Sequence, residues 1–230
     1  MVSTSESSRH RGAGQRAGLS RELVLAAARR IADADGVDRL TMRRLAGELG
    51  VLPNALYTYF PHKDALLDAL VDDLLGDIDP GDPAEGDWRE GLVRVMDASR
   101  RLLLAHPQLV PVFLARPGLG PSAARLGEVT FALLRRGGLE GEQAVEAFRI
   151  LLIYSLGFAA FQAPRLRGDS PARTQQVEVT FAGLPEGSFP EMRRLAGHLA
   201  VPTTDRHFHT GLRWLLDGIG ARPKARTPRS

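Results

Sequence analysis

Cysteine is absent from the 230 residues. Its absence excludes a disulfide framework, a thiolate metal centre and a cysteine nucleophile, and it suits a reducing interior. Aromatic residues are few, at 6%, beside 43% hydrophobic and 25% charged residues. That balance is globular and excludes a disordered chain or a fibrous repeat. Long hydrophobic runs are missing too. The longest mainly apolar stretch, Ile150 to Phe161, falls short of the ~20 residues a membrane span needs. The Ser-, Arg-, Gly- and His-bearing N-terminus lacks the apolar core of a signal peptide. A soluble cytoplasmic protein with no membrane partner is expected. Strand signals are nearly absent, and no glycine-rich loop follows a strand, so nucleotide-cofactor motifs are missing and no cofactor is expected. Histidines are scattered. His207 and His209 would point about 200° apart on a helix and cannot share a metal, so no metal site is expected.

Charge is unevenly placed. Residues 1–63 hold ten basic and six acidic side chains, residues 64–90 hold ten acids and only Arg89, and the last ten residues add Arg222, Lys224, Arg226 and Arg229. A basic end followed by an acidic stretch is the asymmetry of a chain that meets a polyanion.

Helical spacing recurs along the chain. Residues 1–17 lack periodicity and read as a disordered arm. Leu23, Ala27, Ile31 and Ala34 make a stripe that begins after Ser20, an N-cap residue, and stops at Gly36. Thr41 can cap a short second helix carrying Leu45 and Leu49 and ended by Gly50. A third begins at Pro53, favoured in a first turn, and carries Leu56 and Phe60 inward. His62 to Ile78 predicts a longer helix with Leu66, Leu70, Leu74 and Ile78 inside. The cluster Asp79-Pro80-Gly81-Asp82-Pro83 marks a domain boundary. Further helices are predicted at about 86–105, 121–137, 141–163, 188–200 and 204–220, with a turn at Pro107–Leu114. Residues 164–187 read as a long loop, partly helical near Gln175. The fold class is all-α, with a small N-terminal domain and a larger C-terminal helical bundle.

Two short helices flanking a Gly50-Val51 turn have helix-turn-helix character over about residues 42–61, and the second helix would fit the ~12 Å major groove of B-DNA. Its outer face carries Pro53 and Asn54 in the first turn, where free backbone N–H groups and the helix dipole favour phosphate. Asn54 offers the donor and acceptor pair that reads adenine. Tyr57 can donate its hydroxyl to phosphate. Tyr59 and Lys63 can hold the DNA backbone on one side, and Thr41 and Arg43 on the other.

The string is more specific than a generic helical hairpin. Ala34-Asp35-Gly36, Leu40-Thr41-Met42-Arg43-Arg44-Leu45-Ala46, Gly50-Val51 and above all Leu56-Tyr57-Thr58-Tyr59-Phe60-Pro61-His62-Lys63-Asp64-Ala65-Leu66 resemble the DNA-binding domain of the TetR family of bacterial transcription regulators over residues 18–78. The resemblance implies a homodimer on a double-stranded DNA operator. Its contact positions fall on Thr41, Arg43, Pro53, Asn54, Tyr57, Tyr59 and Lys63.

Leu103-Leu104-Ala105-His106-Pro107, Gly137-Gly138-Leu139, Tyr154-Ser155-Leu156-Gly157-Phe158 and Phe208-His209-Thr210-Gly211-Leu212-Arg213-Trp214 resemble the tetracycline-repressor type of ligand-binding and dimerisation domain. That domain is expected over residues 84–221, with a basic tail at 222–230. A small-molecule effector is implied, and repression is the expected direction. Met96, Leu103, Phe113, Phe131, Tyr154, Phe158 and Phe161 could line an apolar cavity for it. The histidine that chelates the drug's magnesium in tetracycline repressors would fall at Phe113, which argues against a metal–tetracycline chelate. Relatives place a four-helix dimer interface on the helices at 141–163 and 204–220, where Phe208, Gly211, Leu212 and Leu215 could form the seam.

Two alternatives belong to other classes. Asp72-Asp73-x-x-x-Asp77 resembles the aspartate-rich motif of all-α prenyl-transfer enzymes, whose carboxylates hold Mg²⁺ against a diphosphate. No second acidic cluster follows, and the three acids sit opposite the stripe Leu70, Leu74 and Ile78, so a solvated face is the better reading. A ligand-independent DNA binder would instead have a filled C-terminal core.

Overall fold

The computed structural model describes residues 18–116, 120–165 and 170–221. Among them every regular element is helical. The expected arm at 1–17 and the tail at 222–230 lie outside the described residues. Contacts group the described residues into two compact units. One holds residues 18–77 with 108–116 and 120–124, and the other holds residues 78–107 and those from Arg125 onward.

In the first unit, α1 (Arg21–Asp35) begins on Ser20, whose side chain accepts the Leu23 amide at 3.2 Å. Its buried stripe is Val24, Ala27, Ala28 and Ile31, while Leu23 is half exposed. The predicted stripe was one position out of phase at its start, because the helix turns Val24 rather than Leu23 inward. Helix α2 (Met42–Glu48) starts on Thr41, whose hydroxyl accepts the Arg44 amide at 3.1 Å. It closes on Gly50 at φ +65°. The Val51 amide reaches Ala46 O at 3.0 Å and the Gly50 amide reaches Gly47 O at 3.2 Å, a Schellman stop that only a left-handed residue can make. Helix α3 (Pro53–Tyr57) follows with Pro53 in its first turn. Helix α4 (Lys63–Gly76) is capped by His62 and buries Leu66, Leu70 and Leu74 as the spacing predicts.

Helix α6 (Val110–Ala115) also belongs to this unit, although Pro107–Leu114 reads as a turn in the sequence. Pro111 lies in its first turn, where the missing N–H costs nothing. The Arg116 guanidinium behind α6 binds two carboxylates of α4, Asp68 at 2.7 Å and Asp64.

In the second unit, α5 (Trp88–Ala105) and α8 (Gly141–Gln162) pack most extensively, joined by α12 (Asp205–Gly220). The core combines Leu92, Val95 and Met96 of α5 with Ala147 and Leu151 of α8 and with Phe208, Leu212, Leu216 and Ile219 of α12. Helix α7 (Pro121–Arg136) adds Leu133 and Leu134. The proline- and glycine-rich stretch after Ile78 is an ordered strap. Arg125 donates to Ile78 O at 2.9 Å, and Arg136 donates to the carbonyls of Pro83, Glu85 and Gly86.

Within the loop predicted over 164–187, the helical part expected near Gln175 is α9 (Pro171–Ala182), capped by Ser170. The single helix predicted over 188–200 is two, α10 (Pro190–Arg194) and α11 (Ala196–Ala200), which pack on α9. By length and composition alone, α8 could cross a membrane. The apolar core helix of a water-soluble protein passes the same test, and α8 buries Ala147, Leu151 and Ser155 in the bundle.

Candidate nucleic-acid interface

The α2–α3 corner presents side chains of several kinds. Thr41 and Arg43 are exposed at the start of α2. The Thr41 oxygen accepts the Arg44 amide, which leaves its own O–H free to donate. Neighbouring cations of the unit are engaged internally: Arg44 with Asp35, Arg29 with Asp77 at 2.9 Å and Arg30 with Glu48 at 3.6 Å. These pairs occupy Arg29, Arg30 and Arg44 with acids of the head, while Arg43 stands exposed beside them.

On α3, Ala55 and Leu56 are buried, Asn54 is exposed, Pro53 is half-buried, and Tyr57 is 47% exposed. A tyrosine with that much of its ring in water is available for contact rather than packing. Leu52, at the N-cap of α3, is 75% exposed. Sequence reasoning missed it because a leucine beside Val51 looks internal. The signal lay in Pro53, which starts the helix and puts the residue before it outside the apolar stripe. An exposed apolar side chain there suits a thymine methyl group.

Two of the predicted contact residues also have partners inside the unit. The Tyr59 hydroxyl donates to Leu19 O at 2.6 Å. Its one proton is engaged inside the unit, so Tyr59 is a brace and not a phosphate donor. Lys63 is half-buried and donates to Val37 O at 3.3 Å, but an ammonium has two further N–H groups to offer. His62 Nδ1 accepts the Ala65 amide at 3.0 Å, which places the ring proton on Nε2.

The residues expected to line an effector cavity come from four helices, α5 to α8. Met96 and Leu103 are core residues of α5. Phe113, on α6, groups with the head unit, and Phe161 is half exposed. Phe131 lies 4.9 Å from Phe148 and lines a cleft of about 360 Å³ beside Leu139 and Ala144. Tyr154 and Phe158 instead pack around Phe208, with ring centroids at 5.4 and 5.2 Å. Burial raises the Tyr154 phenol above its ordinary pKa, and nearby Arg100 opposes that shift.

At the centre of this cluster is a residue the sequence reading did not single out. Arg100 is fully buried. It donates to Gln162 Oε1 at 2.8 Å, pairs with Asp97 at 3.1 Å and Asp205 at 3.0 Å, and lies 4.6 Å from the Phe208 ring centroid. Its Nε has no hydrogen-bond partner. The signal was the spacing itself, since Leu92, Met96, Arg100 and Leu103 fall on one helical face.

The four residues expected at a dimer seam differ in exposure within the chain. Phe208 and Leu212 are fully buried within their own chain. Gly211 lies against the Tyr154 hydroxyl, where any side chain would collide. Leu215 is half-buried. The exposed large apolar residues of these helices are Val145, Ile150, Ile153 and Phe161 on α8 and Trp214 on α12.

The acids of the diphosphate-enzyme alternative serve local structure. Asp72 accepts the amides of Ser122 and Ala123 at 3.0 and 3.1 Å, and Asp77 pairs with Arg29. Burial pushes the Asp73 carboxyl above its usual pKa, with Arg29 opposing and the neighbouring carboxylates reinforcing the shift. These residues line a cleft of about 1160 Å³ in the head unit. Among the described residues no group of three or more His, Cys, Asp or Glu side chains is placed to hold a metal ion.

Comparison with known proteins decides the family. Residues 24–70 match the family model for bacterial regulatory proteins of the tetR family, and residues 79–222 match that for the tetracyclin repressor-like C-terminal domain. The chain belongs to the TetR family. This TetR-family chain is 36% identical over 214 residues to the HTH-type transcriptional repressor DrrR1 of Streptomyces coeruleorubidus, covering 90% of this chain and 79% of that one. It is 30% identical to the class A tetracycline repressor of Escherichia coli, over 89% of this chain and 92% of that one. Among solved structures it is similar to the TetR family protein ActR of Streptomyces coelicolor in complex with actinorhodin. That match has a TM-score of 0.81 at 33% identity and covers 87% and 96% of the two chains. The protein is thus a ligand-responsive DNA-binding regulator, all-α, with N-terminal helix-turn-helix helices and a C-terminal helical bundle.

Proposed function

We propose that the protein is a cytoplasmic homodimeric repressor that leaves its operator when a small molecule occupies its sensor domain. The observation that carries this reading is the α3 surface, where Asn54 and Tyr57 stand exposed on a helix held in place by the Gly50 stop. Each protomer inserts α3 in one major groove, and the two half-sites lie a helical turn or more apart. Thr41, Arg43, Tyr57 and Lys63 contact phosphate and give most of the affinity, while Asn54, Pro53 and Leu52 meet base edges and give discrimination. Repression as the direction is supported by DrrR1, which is named a repressor.

An aromatic effector is favoured by ActR having been solved with actinorhodin. Phe113 at the metal-chelating position of the tetracycline repressors argues against a magnesium chelate. The dimer seam runs along α8 and α12 through Ile153, Phe161 and Trp214, whose exposure otherwise leaves large apolar surfaces in water. Helix α4 is the lever, because Arg116 ties it to α6 through Asp64 and Asp68. A coupling of about 1–3 kcal/mol weakens operator binding about 5–150-fold per effector.

Binding of duplexes selected by the protein from a random-sequence pool tests the assignment. Tyr57→Phe and Lys63→Ala are expected to weaken all selected sequences alike, and Lys63→Ala to lower the salt slope by about 1. Asn54→Ala is expected to relax preference at one base position, at a discrimination of about 1–3 kcal/mol. Unchanged affinity in both Tyr57→Phe and Lys63→Ala would contradict the phosphate assignment.

A further inference from the structure

Leu52 stands 75% exposed at the N-cap of α3. A single exposed leucine is ordinary on a protein surface. Two features set this one apart: its backbone is held on both sides, and its neighbours in the chain carry no charge.

The hold is local. Proline favours extended backbone in the residue before it, and Leu52, ahead of Pro53, has φ −74° and ψ +145°. The Leu52 carbonyl accepts the Ala55 amide at 2.9 Å, which ties it to the first turn of α3. Two residues earlier the Gly50 stop ends α2, and Val51 is half-buried. Little backbone freedom is left to lose when the Leu52 side chain meets a partner.

The missing charge narrows what that partner is. The fourteen residues from Leu49 to His62 include no Asp, Glu, Lys or Arg. Guanine is read chiefly by Arg or Lys at O6 and N7, and cytosine by a carboxylate at N4. Helix α3 offers neither. Its exposed side chains are Asn54 and Tyr57, flanked by Leu52 and by Thr58, whose hydroxyl suits either kind of pair. An Asn amide matches adenine N6 and N7, and an apolar side chain matches the thymine C5-methyl. Both features belong to A·T pairs.

We propose that α3 selects A·T pairs, with Leu52 packing on the C5-methyl of a thymine and Asn54 bonding a neighbouring adenine. The proposal rests on the reading of α3 as the major-groove helix. A G·C pair under Leu52 loses hydrogen bonds to water and gains none from the protein. Taking one methyl group out of water changes affinity by about fourfold. A dimer covers two such thymines, so the changes multiply to about 15-fold.

The test uses the full chain and duplexes that it selects from a random-sequence pool. Each thymine of the selected half-site is replaced in turn by deoxyuridine, which keeps the pairing edge and O4 and lacks only the methyl. Affinity is read by fluorescence anisotropy. For the wild type, one position is expected to lose about fourfold when one half-site is changed and about 15-fold when both are. Leu52→Ala should bind the thymine and uridine duplexes equally, whereas Leu52→Met, still apolar, should keep the difference. A C·G pair placed at that position should bind the wild type more tightly once the cytosine carries a 5-methyl group. Leu52→Ala should not distinguish the two. A selected half-site with no thymine whose methyl matters overturns the proposal, and so does a methyl effect that persists in Leu52→Ala. Failure of the α3 reading looks different: the wild type selects no duplex, or Asn54→Ala and Tyr57→Phe bind as it does.

Discussion

A guanidinium that water cannot reach must find its partners inside the protein, and Arg100 finds them on three helices. It meets Asp97 on its own helix, Gln162 at the end of α8 and Asp205 at the start of α12. Asp97 in turn faces Arg101 at 2.7 Å and His209 at 3.3 Å. Arg100→Ala leaves a buried hole, strands the Gln162 amide oxygen and takes one of three partners from Asp97, so it should lower stability by about 3 kcal/mol, a fall in Tm of roughly 6–12 °C. Arg100→Met keeps most of the volume and removes the buried charge, so its loss should be clearly smaller. A calorimetric melt checks both, and equal losses would contradict this account. The same scale shows why single residues were read unevenly from the sequence. Thr41, Asn54 and Tyr57 have the exposure their spacing implies, because local helix geometry decides it. Tyr59 does not, because its partner Leu19 lies forty residues away.

At the scale of elements, a turn and a tie carry the head. Gly50 sits at φ +65° with nothing within 4 Å of where a Cβ would be, so a side chain there meets conformational cost alone. Gly50→Ala should destabilise by about 1 kcal/mol and Gly50→Asn by less, measured by urea denaturation. Arg116 is the tie between α6 and α4. Arg116→Ala should speed amide hydrogen exchange in α6 while leaving α1 to α3 as protected as before. Unchanged exchange in α6 would remove Arg116 from the lever. Elements with strong local signals were legible, namely the caps at Ser20 and Thr41, the stop at Gly50 and the stripe of α4. Helix α6 was not, and α9 was legible only around Gln175, because Pro111 and Pro171 look like breakers in a string and become first-turn residues in a helix.

For the whole molecule, assembly is the decisive property, since a dimer converts two weak half-site contacts into one strong one. Ile153→Arg places a charge on the exposed apolar strip of α8 and should shift the protein to monomer in analytical ultracentrifugation. Operator affinity should fall at least ~100-fold with the fold intact. A dimer that survives the change would place the seam elsewhere.

Cysteine-free composition, helical periodicity and the string from Leu40 to Leu66 were enough by themselves to determine the all-α class, the helix-turn-helix and the DNA-facing helix. Those features depend on residues within one or two turns of each other, and such spacing is written in the string. Tertiary structure alone decided that Tyr59 braces Leu19, that Arg100 is the buried hub of the sensor bundle, and that α12 turns Phe208 and Leu212 inward while Trp214 faces out. Each of these depends on which distant side chains meet, and periodicity marks an apolar face without naming the surface that covers it.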